Sequence, residues 1–185
     1  MIKEAVQDAE RRMRSAIQSL KDDLSGIRTG RANPGLVEKL SVDYYGSPVP
    51  LIQLATISVP EPRQLLIKPF DAGSIKDIDR AIQSSDLGLT PVSDGKVIRL
   101  NLPALTEDRR RDLTKFVNNR LEEARVAVRN VRRDAIKDMR EFESEKLISE
   151  DDLKKGEGDT QKLTDKYVEE ISAIGMDKEK EIMEI

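Results

Sequence analysis

Residues 106–142 read TEDRRRDLTKFVNNRLEEARVAVRNVRRDAIKDMREF, and this stretch decides the fold. Leu113, Val117, Leu121, Ala124, Val128, Val131, Ala135, Met139 and Phe142 recur at steps of three or four, with no Pro or Gly between them. That period lays one apolar stripe along a single α-helix. Thr106 suits the N-cap, and Glu107 and Asp108 follow in the first turn, where the helix dipole favours negative charge. About 37 residues at 1.5 Å each predict a rod roughly 55 Å long. A helix with one apolar stripe needs partners to cover it.

Two partners are legible. Upstream, Ile2, Val6, Ala9, Met13, Ile17, Leu20, Leu24 and Ile27 follow the same period. Downstream, Leu153, Gly156, Thr160, Leu163, Tyr167, Ile171, Ile174, Lys178, Ile182 and Ile185 trace a weaker stripe. Ser149 caps that helix, acidic Glu150, Asp151 and Asp152 follow, and Ile148 and Leu153 hold the two staple positions. Gly156, Gly158 and Gly175 each weaken it by roughly 1 kcal/mol against Ala and suggest a softer C-terminal helix.

All eight prolines lie between residues 34 and 103. Proline breaks helix interiors, so this middle reads as strands and turns. Expected strands are 36–42, 55–59, 64–69 and 97–102, with a turn at Tyr45-Gly46-Ser47-Pro48 and another at Ser93-Asp94-Gly95. A short helix over 74–82 is capped by Ser74 and stopped near Gly88. The fold class is therefore α+β. A long three-helix up-down-up bundle, residues 1–29 plus 106–185, carries an inserted small β/α/β domain, residues 30–105. Two crossings join them and serve as a hinge: Arg28-Thr29-Gly30-Arg31 and Pro103-Ala104-Leu105.

Composition narrows the function. The chain has 185 residues, no Cys, no His and no Trp, and a net charge of −3. Disulfides, thiolate metal sites and thiol nucleophiles are excluded, as is Ser-His-Asp catalysis. No apolar run spans a membrane, and the N-terminus has no signal-like core, so the expectation is a cytoplasmic protein with no membrane partner. The charge is distributed unevenly. Residues 106–140 hold 11 basic and 7 acidic side chains, whereas residues 141–185 hold 7 basic and 15 acidic. At 100° per residue, Arg111, Arg125, Arg129, Arg132, Arg133 and Arg140 fall within a sector of about 100°, beside the apolar stripe. Guanidinium forks two hydrogen bonds onto a phosphate, so such a ridge suits a nucleic-acid backbone. The bland alternative is a solvated face whose arginines pair with the acidic C-terminal helix or, at helical spacing, with Glu122, Asp134 and Asp138. The residues alone leave both open. The acidic C-terminal helix argues against DNA and for docking on one structured RNA.

Other signals are weaker. The stretch 25–35 is Gly-rich but follows a helix and lacks the Gly-Lys-Ser/Thr ending of a phosphate loop. It reads as a helix end and hinge, with Arg28 and Arg31 as further RNA candidates. Tyr44 and Tyr45 would face opposite ways on a strand, one packing and the other free to stack on a base. The tandem acids Asp22-Asp23 and Asp151-Asp152 have no convergent partner and read as caps and solvated charge, so no metal and no cofactor is expected.

Six stretches carry a resemblance: Ile27-Arg28-Thr29-Gly30-Arg31-Ala32-Asn33-Pro34, Val42-Asp43-Tyr44-Tyr45-Gly46, Asp86-Leu87-Gly88, Leu105-Thr106-Glu107-Asp108-Arg109-Arg110, residues 127–135, and Gln161-Lys162-Leu163-Thr164-Asp165. Together they resemble the bacterial ribosome recycling factor family over essentially the whole chain. Thr90 departs from it, since the family usually has Asn before that proline. The resemblance implies an L-shaped, monomeric, non-catalytic factor. It would bind the large ribosomal subunit after termination and, with elongation factor G and GTP, split the complex. It implies that Arg129, Arg132 and Arg133 face ribosomal RNA. Arg125 and Arg110 complete the RNA-binding set with Arg28 and Arg31. The rival readings are an enzyme using carboxylate, Lys or Tyr chemistry, a helical scaffold, and a generic RNA chaperone.

Overall fold

The computed structural model describes residues 1–184. The chain forms two compact units. One comprises Met1–Leu24 and Asp112–Lys180; the other comprises Ser25–Arg111 with the C-terminal residues from Glu181.

The first unit is built on three helices: α1 (Ile2–Ser25), α3 (Glu107–Ser144) and α4 (Glu150–Met183). Cross-helix contacts fix their directions. Arg12 meets Asp134 and Asp23 meets Arg120, so α1 and α3 run antiparallel. Arg140 meets Glu157 and Arg125 meets Ser172, so α3 and α4 do too. Arg14 meets Tyr167 and Lys21 meets Glu170, leaving α1 and α4 parallel. This is the up-down-up order. Ala9, Met13, Ile17, Leu20 and Leu24 of α1 and Leu113, Val117, Leu121, Val128, Val131 and Met139 of α3 are buried as their period requires.

The caps act as the sequence suggests. The Arg109 amide donates to Thr106 Oγ1 at 3.2 Å. Ser149 and Asp152 form a reciprocal box: the Asp152 amide donates to Ser149 Oγ, and the Ser149 amide donates to Asp152 Oδ2. Hydrogen bonding to Ser149, by its side chain first and then its backbone amide, holds the Asp152 carboxyl below its ordinary value.

The buried track of α4 departs from the expected stripe. It runs through Gly156, Thr160, Thr164, Tyr167, Ile171, Gly175, Lys178 and Ile182, while Leu163 and Ile174 are only half-buried. Ile185 lies outside the described residues. Two glycines therefore have a packing role. A Cβ on Gly156 would stand 2.7 Å from Met139 Sδ and 3.1 Å from Ile2 Cγ2, and one on Gly175 would overlap Leu121. Bare backbone lets the helices close on large side chains. Gly158 faces open space. The expectation of a generally softened helix is replaced by two contact notches and one incidental glycine.

The second unit holds six strands and a helix. β1 (Ser41–Tyr44) and β2 (Ser47–Pro50) form a hairpin. β3 (Ala55–Glu61), β4 (Gln64–Pro69), β5 (Pro91–Ser93) and β6 (Ile98–Asn101) form an antiparallel sheet in the order β3-β4-β6-β5. α2 (Ile75–Gln83) turns Ile75, Ile78 and Ile82 into a core shared with Val42, Leu51, Leu65, Ile67, Ile98 and Leu100.

Several sequence expectations shift here. The strand expected at 36–42 begins only at Ser41, because Pro34–Leu36 forms a 3-10 turn capped by Asn33, whose side chain accepts from the Gly35 amide. Tyr45 and Gly46 are both left-handed, with φ of 51° and 82°, and so make a two-residue hairpin turn. Tyr44 pairs with Ser47, which puts Pro48 and Pro50 at positions that donate nothing across the ladder. That is how β2 tolerates two prolines. Tyr45 stands in the turn, exposed, its ring 4.5 Å from that of Tyr44. Ser74 precedes α2 but does not cap it; its hydroxyl donates to the Asp71 carbonyl instead.

Candidate nucleic-acid interface

α3 carries the main candidate. Its buried residues occupy one side, and Arg125, Arg129, Arg132, Arg133 and Arg140 lie outside that core. Their engagements differ. Arg125 and Arg129 share Glu122, at 3.4 and 3.5 Å, and Arg125 also reaches Ser172 Oγ at 3.4 Å. Arg140 pairs with Glu157 at 2.9 Å, and Arg111 with Glu107 at 3.6 Å. Arg132 donates to the neutral side-chain carbonyl of Gln161 at 3.1 Å. Arg133 has no hydrogen bond or ion pair among the described residues.

The bland reading is thus partly realised: carboxylates of α3 and α4 engage some of the ridge. Such exposed pairs are weak and yield readily to a better anion. Around Arg132 and Arg133 the charge is uncompensated. These two residues line a shallow groove with Ile136, Lys137 and Arg140, four cations about one aliphatic side chain. Lys137 and Ile136 were not singled out from the sequence. Lys137 falls just outside the arginine sector, yet its place four residues after Arg133 is the available signal.

The remaining candidates belong to the other unit. Arg28 Nη1 donates to the Leu87 carbonyl at 3.0 Å. Thr29 is buried, and its hydroxyl donates to Glu181 Oε1 at 3.1 Å. Gly30 has φ of 82°, and a Cβ there would stand 3.4 Å from Leu105 Cγ. Arg31 pairs with Glu184 at 3.4 Å. Thr29, Gly30, Arg31, Ala104, Leu105 and Arg110 line one cavity of about 240 Å³, walled also by Pro62, Arg63 and the two glutamates. Pro103 offers its carbonyl oxygen near Gly30. The structure therefore gathers the two expected crossings and Arg110 into one cluster within the second unit.

Among the described residues, no group of acidic side chains is arranged to hold a metal ion, and no helix is long and apolar enough to cross a membrane. The tandem acids are accounted for locally: Asp23 pairs with Arg120, and Asp22 accepts from Gln18.

The family model described as ribosome recycling factor matches residues 20–183. The chain belongs to the ribosome recycling factor family. The ribosome-recycling factor of Halalkalibacterium halodurans is 56% identical over 185 residues, with both chains fully covered. That of Roseiflexus castenholzii is 53% identical over the same span. A solution structure of a ribosome recycling factor superposes with a TM-score of 0.80 at 46% identity, covering 100% of this chain and 98% of the other. A second structure, at 41% identity, TM-score 0.71 and full coverage of both chains, is the T. thermophilus ribosome recycling factor, described with E. coli elongation factor G bound to the E. coli post-termination complex. A ribosome recycling factor fold thus carries the basic groove at Arg132 and Arg133.

Proposed function

We propose that this protein recycles ribosomes after termination: it grips large-subunit ribosomal RNA through α3 and, with elongation factor G and GTP, drives the subunits apart. One observation carries the RNA contact. Arg132 and Arg133 hold charge that no carboxylate of the described residues neutralises, at the centre of an arginine-rich helix face. Phosphate is the complementary anion for planar, permanently charged guanidinium. Arg129 and Arg125 extend the contact by exchanging Glu122 for phosphate. The acidic α4 keeps the remaining helical surface from binding RNA indiscriminately.

The factor acts by binding and by transmitting force. Its own side chains supply no covalent step, and it works as a cytoplasmic monomer. A helix about 57 Å long, packed along its length, transmits load with little bending. The segments 29–31 and 103–105 act as the hinge of the smaller domain, with Gly30 in a backbone conformation that other residues resist. The discriminating experiment is sedimentation of purified post-termination ribosomes with this protein, elongation factor G and GTP. Conversion to free subunits is expected. Intact ribosomes at saturating protein would refute the reading.

A further inference from the structure

Two of the family-marking stretches, Ile27 to Pro34 and Asp86-Leu87-Gly88, lie nearly sixty positions apart in the chain, and one side chain joins them. Arg28 Nη1 donates to the Leu87 carbonyl across 59 positions, at 3.0 Å and partly buried. The next residue, Gly88, is left-handed with φ of 65°, and Arg28 Nη1 is the nearest heavy atom to where its Cβ would stand, at 3.9 Å. Leu87 and Leu89 on either side pack into the core of the second unit.

Apart from that packing, few hydrogen bonds hold the loop 84–90 to the rest of its unit. Among the described residues, its other hydrogen bonds run to α2 or within itself: the Ser84 amide to the Arg80 carbonyl, the Ser85 amide and hydroxyl to the Ile82 carbonyl, and a long contact from the Leu87 amide to Ser85 Oγ. A carbonyl turned away from helix and sheet needs a donor when partly buried. Arg28 supplies a charged one, which makes a shorter and stronger bond than a neutral donor would.

We infer that Arg28 is a positioning residue: its guanidinium fixes the 84–90 loop to the segment that follows α1, and it is not a phosphate ligand. This rests on the recycling function proposed above. The reasoning is geometric. A phosphate-binding arginine presents its fork to solvent, whereas this one is half-buried and directed at a backbone carbonyl of its own unit. Holding the loop keeps the left-handed Gly88 turn in place and sets the smaller unit in the form that receives force.

The test compares Arg28→Ala, Arg28→Lys and wild type in the full-length protein by three readouts. Amide hydrogen exchange of the free protein at Ser84, Ser85 and Leu87, the hydrogen-bonded amides of this loop, is expected to rise about tenfold in Arg28→Ala. The salt dependence of large-subunit binding should keep its slope in both variants. The maximal splitting rate should fall about tenfold in Arg28→Ala, with little change in the half-saturating concentration of factor. Arg28→Lys, which keeps the charge but loses the planar fork, should follow Arg28→Ala more nearly than wild type. A salt slope reduced by about 1 in Arg28→Ala and restored in Arg28→Lys, with exchange at Ser84, Ser85 and Leu87 unchanged, would identify a phosphate contact and overturn the assignment. Unchanged exchange and splitting in both variants would overturn it equally. If wild type itself fails to split ribosomes, the recycling reading falls, while the exchange arm still decides whether Arg28 holds the loop.

Discussion

Arg132 on α3 faces Gln161 on α4, guanidinium to amide oxygen at 3.1 Å. A neutral partner orients the fork without cancelling its charge. Glu157, one turn earlier on α4, does engage a ridge arginine, Arg140. The choice of amide at position 161 therefore keeps one guanidinium oriented and available. Arg132→Ala should weaken large-subunit binding by roughly 1–3 kcal/mol and reduce the slope of log affinity against log salt by about 1. Titration at several salt concentrations reads both quantities, and parallel lines for mutant and wild type would remove Arg132 from the interface.

Gln161→Glu supplies the converse test at the same contact. The new carboxylate would sit where the amide oxygen now accepts from Arg132. Pairing should then lower affinity for RNA several-fold while leaving thermal stability within about 0.5 kcal/mol. Equal affinity of Gln161→Glu and wild type would mean that the charge at Arg132 is not what RNA reads.

The three glycines of α4 should separate by environment although their helix propensities are the same. Gly175→Ala and Gly156→Ala force a methyl into Leu121 and Met139 respectively, and overpacking of this kind costs about 1–3 kcal/mol. Gly158→Ala meets nothing and should gain roughly 0.5–1 kcal/mol from propensity and unfolded-state entropy. Urea midpoints of the three variants measure this, and a Gly175→Ala variant as stable as Gly158→Ala would contradict the close helix approach.

These glycines also mark where sequence reading stopped. Hydrophobic period located the three helices because each stripe faces a core, and the caps at Thr106 and Ser149 could be read because capping is local. The α4 track was legible only in part: Gly156 and Thr160 fall on the expected stripe, whereas buried Thr164 and Gly175, which carry no apolar signal, take the places given to Leu163 and Ile174. The hydroxyls of Thr160 and Thr164 satisfy themselves on the carbonyls four residues earlier, so the helix can bury them. The β2 and β5 strands were missed because Pro48, Pro50 and Pro91 argue against strands unless the ladder register is known. At the ridge, the arginine sector and Glu122 as a partner at helical spacing were legible, but not which arginine each acid engages. That Glu122 serves two arginines at once while Asp134 turns to Arg12 on α1 follows from rotamers and helix packing.

Tyr167 ties α1 to α4 through its hydroxyl, which donates to Glu10 Oε1 at 3.0 Å and accepts from Arg14 Nε at 3.0 Å. The Tyr167 bond, followed by that from Arg14, holds the Glu10 carboxyl below its ordinary value. A carboxylate whose folded pKa is depressed contributes stability above its unfolded pKa and loses it as pH falls through the folded one. Tyr167→Phe should destabilise the protein by about 1 kcal/mol near neutral pH. The gap between mutant and wild type should narrow on acidification, from the ordinary carboxylate range downward. Urea unfolding at a series of pH values tests this, and a gap independent of pH would mean that the hydroxyl acts through packing alone.

Glu122 offers a prediction of gained function. Its carboxylate is shared by Arg125 and Arg129, at 3.4 and 3.5 Å, and all three side chains are at least partly exposed. On the proposed function, RNA must displace it to reach either arginine, so part of the phosphate attraction is offset in advance. Glu122→Gln removes that competition and one negative charge from the ridge while keeping the shape of the side chain. Exposed pairs of this kind are worth about 0.2–1 kcal/mol, so affinity for the large subunit should rise by roughly 1.4- to 5-fold. Its salt dependence should steepen as Arg129 gains a phosphate. Adding Arg129→Ala to Glu122→Gln should cancel most of the gain, because the freed guanidinium is its source. A Glu122→Gln variant that binds no more tightly, in a background where Arg132→Ala binds less tightly, would confine the RNA contact to the groove at Arg132 and Arg133.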